Sequence, residues 1–237
     1  MKKTISIFII SSLLLSSCAI FKGNLLKPST LETIAALREI LNSSTFKALN
    51  KLRKLNTENP ESALPEEIRP VLATLNTLGY GKEIEKIKTS IGSASSLVLN
   101  ESEGLLSDAI KEVDFGDAVS VVLGGQDAAT QVLKNAMRGA VKKRYSARLN
   151  TELNKTEANK YWPLAAGAYN IFAKNKVDAS LSDFLAEKSV DAVFLAMGHE
   201  EKEIRKDPAS IGKAVVTKVF DYYMKNNKNK IQFNNGK

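Results

Sequence analysis

From Ser29 to Tyr223 the apolar residues recur every three or four positions, and no stretch sustains a two-residue alternation. An α-helix gathers positions i, i+3, i+4 and i+7 on one side, whereas a half-buried strand needs strict alternation. That periodicity confines the chain to the all-α class. With no internal repeat, it predicts a single multi-helix, bundle-like domain over residues 29–224.

The punctuation between the periodic runs sets the expected elements. Ser29 or Thr30 can cap a first helix carrying Leu31, Ile34, Leu37, Ile40 and Leu41. Pro60, Pro65 and Pro70 predict short helical turns, and Gly79-Tyr80-Gly81 a second break before a long helix from Lys82 to Val113. Asp114-Phe115-Gly116-Asp117 reads as a capping box in which Asp114 accepts first-turn amides, and its helix stops at Gly124-Gly125. Asp127 is expected to cap the next helix, with Val132, Leu133, Ala136, Met137, Ala140 and Val141. Pro163 falls near the start of a segment rich in alanine and aromatics. Ser180-Leu181-Ser182-Asp183 opens a helix with two apolar sides. Leu181, Leu185, Ala192 and Leu195 lie on one, and Val190, Val193, Phe194, Met197 and Ile204 on the other, the pattern of a sandwiched helix. Asp207-Pro208 reads as an N-cap with proline at the first position of a last helix holding Ile211, Val215, Val219, Phe220 and Tyr223.

Ahead of the domain, Lys2 and Lys3 precede an apolar run from Ile5 to Leu15. That run is shorter than the about 20 apolar residues a spanning helix needs, and it has the form of a signal peptide. Leu15-Ser16-Ser17-Cys18 resembles the lipobox of bacterial lipoproteins, where a cysteine thiolate takes up a diacylglyceryl group as a thioether. Cys18 is the only cysteine, so it has no disulfide partner within the chain. The expectation is a signal peptide at 1–17, lipidation at Cys18 and a tether at 18–28, holding the domain on a membrane through acyl chains. Ala19, standing where aspartate would resemble an inner-membrane retention signal, favours the outer membrane facing the periplasm.

The formal charge of +8 points less to nucleic acid than its size suggests. Removing residues 1–17 leaves +6, and setting aside Lys225, Lys228, Lys230 and Lys237 leaves a body of +2. A basic stripe on a folded surface, the usual nucleic-acid signature, is not indicated. Residues 225–237 read as a basic disordered tail.

Two blocks of residues resemble the family of bacterial helical lipoproteins named domain of unknown function forty-one ninety-seven. The first runs from Ala109-Ile110 through Phe115 and Asp117-Ala118 to Leu123-Gly124-Gly125-Gln126-Asp127-Ala128-Ala129-Thr130. The second joins Leu181-Ser182-Asp183-Phe184, Glu187-Lys188, Asp191 and Phe194 to Glu200-Glu201, Ile204-Arg205, Asp207-Pro208 and Val219-Phe220. The likeness covers roughly residues 30–222 and implies a helical fold and an envelope location; it implies nothing about activity, because the family has none assigned. Gly198-His199 and Ile91-Gly92-Ser93-Ala94-Ser95 depart from the family pattern.

The candidate site residues are few. His199 and Glu203 share a helix face, with Glu200 adjacent, yet one histidine satisfies neither a zinc-protease helix nor a di-iron bundle. Glu187, Asp191, Glu200, Glu201, Arg205 and Asp127 form a candidate polar site. Glu201 and Arg205, four apart in the favourable order, can serve as a structural pair against the Gly124-Gly125 loop or line a pocket. Gly124-Gly125-Gln126-Asp127 has no Walker lysine and reads as a helix stop followed by a cap. Tyr161, Trp162, Tyr169 and Phe172 are either core or the lining of an apolar ligand pocket. No catalytic group, metal or cofactor is expected. The leading expectation is a non-enzymatic cell-envelope lipoprotein that binds an envelope protein or lipid. The alternatives are a carrier of an apolar or amphipathic small molecule and a hydrolase using clustered carboxylates.

Overall fold

A computed structural model describes residues 26–234 except Pro60, Ser62 and Ala63, with side chains as far as Met224. The expected signal peptide and Cys18 lie outside the described residues. Within them are eight α-helices and no strand: α1 (Thr30–Glu58), α2 (Ile68–Leu75), α3 (Ile84–Glu112), α4 (Ala118–Leu123), α5 (Ala128–Leu153), α6 (Ala158–Phe172), α7 (Leu181–Lys206) and α8 (Ala214–Asn234). None of these helices is long and apolar enough to cross a membrane. The all-α, bundle-like expectation is met.

The four long helices close a ring. Helix α1 packs on α3 and α7, and α5 packs on the same two. Helix α7 therefore lies between α1 and α5, as its two apolar sides predict. Leu181, Leu185, Val190, Val193, Phe194 and Met197 are buried. The shorter helices cover the ends. Helices α4 and α8 pack on α1, near the start of α1 and the end of α7. Helices α2 and α6 pack together beside the start of α7, where the Trp162 ring lies 5.2 Å from Phe184.

Local chemistry explains most of the boundaries. Ser29 starts α1 with a reciprocal box: its hydroxyl accepts from Glu32 N at 3.2 Å, and its own N–H donates to Glu32 Oε2 at 2.9 Å. Ser180 caps α7 with one half of such a box: its hydroxyl accepts from Asp183 N at 3.3 Å, while its own N–H donates to Asp178 Oδ1 at 2.8 Å. Pro70 does not break its segment but sits in the first turn of α2, where a missing N–H leaves nothing unpaired. The break at Gly79 is a π-turn over Asn76–Tyr80, with Gly79 at φ +90°.

Several expectations need correction. The cap of α4 is Asp117, which accepts from Val119 N at 3.1 Å and Ser120 N at 3.3 Å. Asp114 instead closes a small turn onto Gly116 N at 2.9 Å. Leu31, Ala192 and Leu195 are exposed, because Leu31 falls off the α1 stripe and, among the described residues, no helix covers that end of the α7 side that Leu181 and Leu185 begin. Ala136 and Ala140 are exposed on α5. Asp207-Pro208 opens a 3₁₀ turn over Pro208–Ile211, ended by Gly212 at φ +65°, so Ile211 precedes α8. The expected disordered tail is helical as far as Asn234. Extending an existing helix adds a hydrogen bond for each residue fixed, and lysine and glutamine are good helix formers.

Candidate functional site

The site is assembled where the α4–α5 turn meets the last turns of α7. A helix leaves its first amides and last carbonyls without partners, and here two such ends face one another. Glu201, with no exposed surface, accepts from Ala129 N at 3.0 Å, Thr130 N at 2.7 Å and the Thr130 hydroxyl at 2.6 Å. It thereby caps α5 from a distance in sequence, and Asp127 does not. The Asp127 carboxylate accepts from Gln131 Nε2 at 2.8 Å instead.

Arg205 completes the junction. Its Nε and Nη2 each lie 2.8 Å from Glu201 Oε1. Its Nη1 donates to the Val122 carbonyl at 2.8 Å and Nη2 to that of Val121 at 3.1 Å, satisfying the end of α4. The guanidinium also lies 5.1 Å from the Phe220 ring centroid, which ties in α8. A negative group at a helix start and a positive group at a helix end each oppose the local dipole. The pair is a structural junction of α4, α5, α7 and α8.

The other carboxylates are spread around α7 and each has a cation. Glu187 and Asp191 meet on Arg138 of α5; Arg138 Nη2 donates to Asp191 Oδ1 at 2.9 Å and to Glu187 Oε1, and Lys142 Nζ lies 2.8 Å from Glu187 Oε2. Hydrogen bonds from Arg138 and Lys142 hold the Glu187 carboxyl down at about 2, and Glu187 and Asp191 raise the guanidinium of Arg138. Glu200 turns the opposite way, to Lys51 of α1. The premise of a hydrolase, several carboxylates converging on one point, is not met by this arrangement. Among the described residues no three histidine, cysteine or acidic side chains are placed to hold a metal ion.

His199 stands apart from Glu201, on the exposed side of α7. It lines a cleft of about 310 Å³ with Lys134, Lys202, Gln126 and Gln131, and with Leu195 on its apolar side. The turn packs closely on α7 at Gly198, where a Cβ would come within 3.4 Å of the Asp127 side chain, an ordinary van der Waals contact. Two lysines, two carboxamides and an imidazole surround one carboxylate, Asp127. The cleft is donor-rich.

The sequence profile of the family described as "Protein of unknown function (DUF4197)" matches residues 27–221. The chain belongs to this family. No curated protein and no solved structure matches it. The two blocks of DUF4197 residues noted above meet at this junction: Ala129 and Thr130 come from the first, and Glu201 and Arg205 from the second.

In this DUF4197 chain the aromatic candidates do not line one pocket. Trp162 is buried and its Nε1 donates to the Asp178 carbonyl at 2.9 Å. Tyr161 lies against Tyr80, with ring centroids 5.1 Å apart, Tyr169 is half-buried, and Phe172 is 91% exposed. Sequence reasoning missed Thr130, Lys134, Arg138, Lys142 and Lys202. The signal for two of them was present: Arg138 and Lys142 share a helix face by their four-residue spacing, as do Glu187 and Asp191.

Proposed function

We propose that this protein is a non-enzymatic binding module of the cell envelope, held at a membrane through acylated Cys18. It receives the anionic group of an envelope component in the cleft between the α4–α5 turn and α7. The cleft carries this reading: Lys134, Lys202, His199 and the carboxamides of Gln126 and Gln131 supply donors, while Leu195 offers an apolar wall. The acids of α7 are no rival to such a role, since Glu187, Asp191, Glu200 and Glu201 are all engaged in holding helices together.

His199 is the only histidine, so its ring resonances give an unambiguous reporter of the cleft. Purified full-length protein is titrated with envelope lipids, cell-wall fragments and periplasmic extract, separately. One fraction is expected to shift the His199 signals, and the Lys134→Glu/Lys202→Glu variant to lose that response. No shift with any fraction, or an unchanged response in the variant, refutes the cleft. The anchor has its own test. Cys18→Ser is expected to release the protein from the membrane fraction, and equally firm retention refutes lipidation.

A second reading, a carrier of an apolar or amphipathic small molecule, is favoured by a different place from the aromatic cluster. A half-open groove of about 320 Å³ is bordered by Leu52, Leu55, Leu64, Leu99 and Leu185. An environment-sensitive apolar dye should enter it and be excluded by Leu185→Trp; equal dye binding by both proteins removes this reading.

A further inference from the structure

Helix α6 presents an apolar side on which none of the described residues packs. Leu164 and Ile171, seven residues apart, lie opposite the buried Trp162 and Ala166, and Ile171 and Phe172 are 72% and 91% exposed. The π-turn held against α6 by the Tyr80–Tyr161 contact adds Leu78 and Tyr80, both exposed. These two packed segments share a charge bias. Between Glu157 and Asp178 there is no acid, while Lys174 and Lys176 are present together with Lys160, whose ammonium lies 3.6 Å from Glu157. Between Glu67 and Glu83 there is again no acid, while Arg69 and Lys82 are present. Lys174 and Lys176 form no ion pair among the described residues.

We propose that this face of α6 seats on an anionic lipid surface. Leu164, Ile171 and Phe172 enter the boundary between headgroups and acyl chains, and Lys160, Lys174 and Lys176 lie at the level of the lipid phosphates. The composition selects lipid over protein as the occupant. Protein interfaces are depleted in lysine, whereas helices that lie in a membrane surface combine large apolar side chains with lysines. The long lysine stems reach past the apolar side chains to keep the ammonium groups among the phosphates. Seating is independent of the donor-rich cleft, which lies at the other end of α7.

The test places a reporter at the tip of the face. In the full-length, natively processed protein Phe172→Trp adds an exposed indole, while the native Trp162 is shielded by burial. Vesicles of brominated phosphatidylcholine, with or without phosphatidylglycerol, quench an indole that reaches the acyl chains. Quenching of Phe172→Trp above that of the unaltered protein is expected only with phosphatidylglycerol, and it is expected to weaken at high salt. Lys174→Gln and Lys176→Gln should each lower the seated fraction's equilibrium roughly fivefold. Equal quenching on neutral and anionic vesicles overturns the proposal, as does none on either while the protein still floats with the vesicles. Flotation without quenching spares the Cys18 anchor, so the two readings fail separately. A concentration-dependent dimer abolished by Ile171→Glu in sedimentation also overturns it, by assigning the face to a second copy of the chain.

Discussion

Replacing Glu201 by alanine tests whether the junction of α4, α5 and α7 holds the fold together. The carboxylate has no exposed surface and takes two backbone amides, the Thr130 hydroxyl and Arg205. Its loss leaves the Arg205 side chain, 6% exposed, as an uncompensated buried cation beside two unsatisfied amides. Breaking one side of a buried pair costs about 3–5 kcal/mol. For a chain of this size each kcal/mol lowers the melting temperature by about 2–4 °C, so a fall of roughly 6–20 °C is expected. Arg205→Ala should also destabilise, by exposing the Val121 and Val122 carbonyls to a cavity. The double variant should lose less than the two single losses added together, because it buries neither charge alone. Thermal unfolding followed by circular dichroism gives the three values, and hydrogen exchange reads the Ala129 and Thr130 amides directly. A Glu201→Ala shift under about 3 °C, with both amides still protected, would refute the junction.

Glu187 gives a pH prediction. Its carboxyl is held at about 2 against an ordinary 4.5 by Arg138 and Lys142, so the stabilisation is complete above 4.5 and fades as pH falls toward 2. The urea midpoint should drop through that window, less steeply in Arg138→Gln and less in high salt because the group is partly exposed; parallel curves for the two proteins count against it. Among the aromatics, Trp162→Ala should cost about 3–5 kcal/mol and Phe172→Ala no more than about 0.5 kcal/mol in denaturant unfolding. Similar losses at the two positions would show that their burial is misassigned. The two glycines before α5 should also differ. A Cβ on Gly124 meets the Ala128 Cβ at 3.0 Å and the Ser120 carbonyl oxygen at 3.1 Å, both fixed by helix backbone, whereas on Gly125 it meets only Asp127 Oδ1 at 3.9 Å. Gly124→Ala is expected to destabilise by about 1–3 kcal/mol and Gly125→Ala to be near neutral, measured by the same unfolding curves; the reverse order would refute the steric account.

The fold was legible because most of its instructions are local. Ser29 and Ser180 cap helices whose first amides lie within three residues, and both caps are found where the sequence places them. The two apolar sides of α7 likewise announce a helix between two neighbours. Local reading failed where the partner is remote. The donor turn after Gly125 shows an aspartate at the conventional capping position, yet the acceptor for Ala129 and Thr130 is Glu201, more than seventy residues on. Periodicity also cannot say how far along a stripe a neighbour extends. Leu185 is covered and Leu195 is not, although both belong to one side of α7.

The candidate site shows the same division more sharply. Glu201 and Arg205 were visible as a four-residue pair, but a pair on a helix reads alike whether it is solvated or buried. What decides between those outcomes is the α4–α5 turn. Asp127 of that turn lies against α7 beside Gly198. The turn that packs there aims the α5 amides at Glu201 and the α4 carbonyls at Arg205. Gly198 thus falls where the turn touches the helix, and His199 beside it faces the cleft. The His199 side chain belongs to the wall of the cleft, whereas Glu201 and Arg205 beneath it hold the helices, so a substitution at His199 should leave the junction intact.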